Sequence, residues 1–329
     1  MNSLLVGFTA FAATALAAGR TSAPAGCLNV AKSGGDYSTI QSAVNSLSTS
    51  SSEDQCIFIN PGTYSEQVLV SARTAQLTLY GYTDDTSSYS GNQVTITSSL
   101  SQANGLSNDE TATLRVKAVD FKMYNINVEN GYGEGSQAVA LSAYADSGYY
   151  GCAFYGFQDT LLSNVGHQVY AKSLISGATD FIFGQQAAAW FEQCDIRVLG
   201  KSLGYITANG RESSSDVSFY VFNNCDVAAG SGESVPDGAY YLGRPWREYA
   251  RVVFQNTAMS AVINKAGWSI WNSGDERTSG VLFGEYDNSG TGAAGPRASF
   301  ATTLSAPETI SGILTSSYSS AGYYDDSYM

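Results

Sequence analysis

The chain has 329 residues, with 16 Lys and Arg against 29 Asp and Glu, one His, and a formal net charge of −13. Hydrophobic residues make up 43% and charged residues 14%, against about 25% charged in an ordinary soluble domain, so core material is plentiful and a disordered chain is excluded. The negative charge argues against nucleic acid or an anionic membrane as partner. The single histidine, His167, excludes a His-rich metal site and leaves only one residue for any His-based triad.

In chain order, the first element is a targeting segment. Leu4 to Ala18 is almost wholly apolar or small, and Ala15-Leu16-Ala17 fits a small-x-small cleavage pattern, so residues 1–18 are expected as a signal peptide cut after Ala17 or Ala18. The run is too short to cross a membrane, which takes about 20 apolar residues. Residues 19–329 are expected as one secreted, extracellular unit. Cys27, Cys56, Cys152, Cys194 and Cys225 follow, an odd count that leaves at least one thiol unpaired. No Asn-x-Ser/Thr sequon occurs, so N-glycosylation is not expected.

Helical periodicity is clear only where Ile40, Val44 and Leu47 share a face, with Asp36 ahead as a candidate cap. Beyond it the chain reads as short strands broken by Gly, Asn, Ser and Asp. Five strings are alike: those opening at Asn125, Gly151, Gln193, Asn224 and Asn256, each after an apolar or aromatic run. Their starts are 26, 42, 31 and 32 residues apart (151−125, 193−151, 224−193, 256−224), and the 42 spans one further rung near Val169–Leu174. Short β units at such spacing predict a stacked solenoid, an all-β parallel β-helix with a short N-terminal helix, over a jelly roll or sandwich. The cysteines at matching rung positions are then expected to be buried packing residues.

In such a helix, residues one coil apart lie about 4.8 Å apart. Gln137 and Gln158 are 21 residues apart (158−137), and so are Asp159 and Asp180 (180−159), which stacks two amides beside two carboxylates. Carboxylates about 5 Å apart repel by roughly 3 kcal/mol at an effective dielectric of 20. One of them therefore stays protonated as an acid while the other serves as base or nucleophile. The amides supply donors for an oxyanion. This inventory fits ester hydrolysis without histidine; it fits glycoside hydrolysis equally well, since retaining glycosidases space their pair at about 5 Å.

The strings Gly156-Phe-Gln-Asp-Thr-Leu161, Asp180-Phe-Ile-Phe-Gly184 and Leu242-Gly-Arg-Pro-Trp246 together resemble the signature of pectin methylesterases. The resemblance runs from Gly34-Gly-Asp-Tyr-Ser-Thr-Ile-Gln41 through Asn60-Pro-Gly-Thr-Tyr64 to Gly267-Trp268 and Gly284-Glu-Tyr286. It implies a right-handed parallel β-helix and hydrolysis of the C6 methyl esters of polygalacturonan, by a secreted type lacking the inhibitory pro-region of plant relatives. By the resemblance, Asp180 is the nucleophile, Asp159 the proton donor and then base, Gln158 and Gln137 the oxyanion hole, and Arg244 the partner that keeps Asp180 ionised. Trp246 and Phe183 would meet the sugar, with Thr111 as a further substrate contact. No cofactor or metal is expected, the partner is methyl-esterified pectin, and the protein is expected as a monomer. The rivals are a polygalacturonase or lyase of the same architecture and a non-catalytic carbohydrate-binding β-helix.

Other motifs read as structural. Gly200-Lys-Ser-Leu-Gly204 matches a nucleophile elbow around Ser202, but the sequence after it does not read as a helix. His167 reads as a strand residue, Trp271 as a core aromatic, and Asp325-Asp326 as solvated tail charges.

Overall fold

The computed structural model describes residues 18–329; the expected signal segment lies, apart from Ala18, outside the described residues. Strand follows strand around a coil with three sides, giving sheets of eleven, eight and seven strands, all paired in parallel. One full coil shows the order. Ser147–Tyr150 belongs to the eleven-stranded sheet, Ala153–Tyr155 to the eight-stranded and Leu161–Ser163 to the seven-stranded, and Val165–Ala171 returns to the first, paired on Ser147–Tyr150. A sandwich of antiparallel hairpins is thereby excluded, and the architecture is the parallel β-helix expected from the repeat.

The repeated strings are the turns between the eleven- and eight-stranded sheets. Asn125, Gly151, Gln193, Asn224 and Asn256 all take left-handed backbone, with φ between 51° and 58°. Lys172, at φ 48°, is the rung inside the 42-residue interval. Left-handed geometry suits Asn and Gly and is costly for most other types. The next residue points inward at each turn: Ile126, Cys152, Ser173, Cys194, Cys225 and Thr257 are all buried. The three rung cysteines are free thiols in this ladder, and burial pushes the Cys152 thiol up to about 12, where it is inert. Cys27 and Cys56 form a disulfide instead, joining the first two strands of the eleven-stranded sheet.

Inside the coil, side chains stack at the strand spacing. Tyr149, Tyr170, Phe191, Phe222 and Phe254 form a continuous column with ring centres 4.3–4.9 Å apart and planes within 9°. Each such pair contributes about 0.5–1.5 kcal/mol beyond its buried area. The helix Ile40–Ser46 packs Ile40, Ala43 and Val44 into this core, as its periodicity predicted. Its cap is Thr39 rather than Asp36: Asp36 accepts from the Asn29 N–H across a loop, and Glu66 takes the Ile40 and Gln41 N–H groups, both at 2.9 Å. At the other end, the tail covers the outer face of the eleven-stranded sheet with Ile313, Leu314, Tyr323 and Tyr328. Asp325 is therefore not a solvated charge; it accepts from the Tyr124 hydroxyl at 2.7 Å.

Candidate active site

The outer face of the seven-stranded sheet carries an apolar row. Leu162, Phe183 and Ala208 lie in register on consecutive coils and cluster with Ala112 and Val139. Such a row on a solenoid's outside would be exposed apolar surface; here the loops entering and leaving the sheet rise around it as a cleft of about 260 Å³.

The loops place the polar groups by backbone pairing. Ala138 N–H donates to the Gln158 carbonyl at 3.1 Å, Gln158 bridges to Thr179, and Asp159 N–H donates to the Thr179 carbonyl at 3.1 Å. Gln137 and Gln158, and Asp159 and Asp180, thus stand one coil apart, and all four line the cleft. Both aspartates occupy left-handed backbone, φ 66° at Asp159 and 49° at Asp180, and the strand register shifts between Thr179 and Ile182. That bulge turns the Asp180 side chain out of the strand's alternation and into the cleft. Among the described residues, no hydrogen bond engages the Asp159 carboxyl or the side-chain amides of Gln137 and Gln158, so these groups are free for a ligand.

Asp180 is engaged. Arg244 Nε and Nη2 donate to its two carboxylate oxygens at 2.9 and 2.7 Å, a two-pronged pair. The guanidinium is itself sandwiched, 4.1 Å from the Tyr205 ring centre and 4.3 Å from that of Trp271. Each aspartate is 7% exposed. Burial and then the neighbouring Asp180 push the Asp159 carboxyl well above the ordinary range. Asp180 departs from the sequence reading: the Arg244 pair by itself depresses its carboxyl, but burial outweighs the pair and leaves it raised. The order of the two survives, with Asp159 the more reluctant to ionise.

Trp246 rises beside Phe183, ring centres 6.0 Å apart, and lies over Gly210, where a Cβ would fall 2.7 Å from the indole. Thr111 is a correction. Its hydroxyl is fully buried, donating to the Asn108 carbonyl at 2.8 Å and accepting from Val139 N–H at 3.2 Å, so it supports the wall and presents nothing to a ligand. Trp271 is the opposite correction, a cleft-lining residue rather than a core one. Gln102 and Asn108 also line the cleft, joined by a 2.6 Å bond; they arrive from an earlier loop, where no repeat or spacing marks them. His167 lies in the strand Val165–Ala171 and pairs with Asp146 at 3.3 Å, while Ser202 is exposed and followed by the strand Gly204–Asn209, not by a helix. Among the described residues no cluster of His, Cys, Asp and Glu is grouped to hold a metal ion.

Comparison with known proteins agrees with this geometry. The Pectinesterase family profile matches residues 28–304. A pectinesterase of Aspergillus aculeatus is 54% identical, and one of Aspergillus niger 53% identical, each over 322 residues and 97% of both chains. The crystal structure of an Aspergillus niger pectin methylesterase superposes with a TM-score of 0.88 at 46% identity, covering 94% of this chain and 100% of that one. These matches favour the ester hydrolase over the chain-cleaving hydrolase, the lyase and the non-catalytic module. The chain belongs to the pectinesterase family, carboxylic ester hydrolases that act on the methyl esters of pectin.

Proposed function

We propose that Asp180 and Asp159 divide the de-esterification of polygalacturonan between them. The observation that carries this is their asymmetry: two buried carboxyls one coil apart, one gripped by a guanidinium and the other with no hydrogen-bond partner among the described residues. Ionised Asp180 attacks the C6 carbonyl carbon, and the carbonyl oxygen takes up the electron pair as an oxyanion while accepting from the Gln137 and Gln158 amides. Protonated Asp159 gives its proton to the departing methanol, leaving the sugar joined to Asp180 as an acyl-enzyme anhydride. Asp159, now ionised, takes a proton from water as its oxygen attacks the sugar carbonyl of the anhydride; Asp180 leaves as the regenerated carboxylate, and the sugar acid gives up its proton to solvent as it departs. Trp246 offers its ring to the sugar and Phe183 lines the floor beneath it. The enzyme acts as a secreted monomer on a polysaccharide, residues 19–329 forming one catalytic unit.

The test is methanol release from methyl-esterified pectin, measured alongside viscosity. Methanol at constant chain length is expected; falling viscosity without methanol would overturn the reading in favour of a chain-cleaving enzyme.

A further inference from the structure

Trp271 reaches the cleft from a tight loop. Its N–H donates to the Glu276 carbonyl at 3.2 Å, and Asn272 and Asp275 exchange backbone bonds at 3.1 Å around Gly274, which is left-handed at φ 81°. The reversal brings Arg277 back over the residue that began it. The Arg277 guanidinium carbon lies 4.9 Å from the Trp271 ring centre, Nε and Nη2 hold the Asp275 carboxylate at 3.0 and 2.6 Å, and Nη1 donates to the Trp246 carbonyl. Arg277 itself sits at φ 57°, a region few non-glycine residues occupy.

Two of these contacts end on the catalytic cleft. Trp246 is one of its walls. Trp271 is the plate against which Arg244 lies, and Arg244 grips Asp180. We propose that Arg277 is a positioning residue of this esterase: it seats Trp271 against Arg244 and ties the loop 271–277 to Trp246, so that the guanidinium gripping Asp180 cannot drift. The proposal rests on Asp180 being the nucleophile. An ion pair between residues two apart on a surface loop does little for stability, so loss of Arg277 is expected to show in the chemistry and not in folding.

The charged groups facing Arg277 are Asp275 on its own loop and Glu212, Arg247 and Glu248 across a pocket of about 270 Å³. Those facing Asp180 are Arg244 and Asp159. Arg247 offers an internal control, because its removal takes away a positive charge from the same pocket without unseating Trp271.

The experiment compares Arg277→Ala, Arg277→Lys and Arg247→Ala with the parent for kcat, KM, the pH profile of kcat/KM and Tm. Arg277→Ala is expected to lower kcat/KM about tenfold, mainly through kcat, and to move the acidic limb to higher pH, with Tm nearly unchanged. Arg277→Lys should recover part of the loss, since it keeps the cation over the indole and loses the fork. A rise in KM alone would overturn the proposal by making Arg277 a substrate contact. An equal shift in Arg247→Ala would overturn it by reducing the effect to a field, and no change in Arg277→Ala would end it. Should Arg277→Ala unfold, Asp275→Asn loosens the same fork and must move the same limb in the same direction. Asp180→Asn, assayed in parallel, separates the two levels: if it stays active, the division of labour fails; if it is dead and the limb does not move in Arg277→Ala, only the positioning role fails.

Discussion

Between the eleven- and eight-stranded sheets the chain turns in two residues, coil after coil, through Asn125, Gly151, Lys172, Gln193, Asn224 and Asn256, all left-handed and each followed by a buried side chain. On the seven-stranded side the loops differ in length and positive φ follows no ladder: Asp120 and Arg277 carry it in loops, Asp159 in a loop of the cleft and Asp180 at the bulged start of a strand. The backbone conformation is the same on both sides, and so is its cost of about 1–2 kcal/mol for a residue with a Cβ. In the first system it repeats and sets the pitch of the coil, and its cost is offset by the ladder of inward side chains. In the second it is scattered, and at Asp159 and Asp180 it places a carboxylate in the cleft. Strain that repeats every coil is architecture; strain that falls on two carboxylates one coil apart in a single cleft marks chemistry.

Four substitutions put this contrast to the test. The largest effect is expected for Asp180→Asn, which removes the nucleophile and should lower kcat by about 10⁴-fold or more while circular dichroism and pectin binding stay parental. Retained turnover would make its left-handed geometry architectural after all. Arg244→Ala comes next. Arg244 pulls the Asp180 carboxyl down against burial; without it, Asp180 ionises only at higher pH, so the acidic limb of kcat/KM must move upward. A limb that stays in place would show that the guanidinium does not govern Asp180.

The third change tests stability instead of rate. The Asp159 carboxyl is raised in the folded state. Below the ordinary carboxylate range both states are protonated and Asp159 contributes nothing. As pH rises through that range the unfolded chain ionises first, so the parent loses stability. Asp159→Asn cannot ionise and should therefore have a higher Tm than the parent, by a margin that is absent near pH 3, grows toward neutrality and accompanies a severe loss of activity. An equal Tm across that range in scanning calorimetry would contradict the burial cost assigned to Asp159. The smallest effect belongs to the architectural side. Gln193 is left-handed with an exposed side chain, and Gln193→Val adds a branched Cβ to a conformation that Gln already occupies at a cost, so it should lower Tm by a few degrees with kcat/KM unchanged. A change in kcat/KM would mean that the turn ladder is coupled to the cleft.

Much of this was legible in the residues because a β-helix writes its coil length into the chain. Strings that recur once per coil revealed the turn ladder, including the hidden rung at Lys172, and the equal intervals between Gln137 and Gln158 and between Asp159 and Asp180 revealed the stack. The helix Ile40–Ser46 was visible in its own periodicity. All of these are regularities within a helix turn or one coil. The tertiary structure decided what depends on groups far apart in the chain or on burial: the Cys27–Cys56 pairing, the burial of Thr111, the entry of Gln102, Asn108 and Trp271 into the cleft, and the stacking of Arg244 between Tyr205 and Trp271. It also decided the direction of the Asp180 shift. Charge pairing can be inferred from a motif, but desolvation scales with how deeply the assembled walls enclose the group, and at Asp180 the walls outweigh the guanidinium.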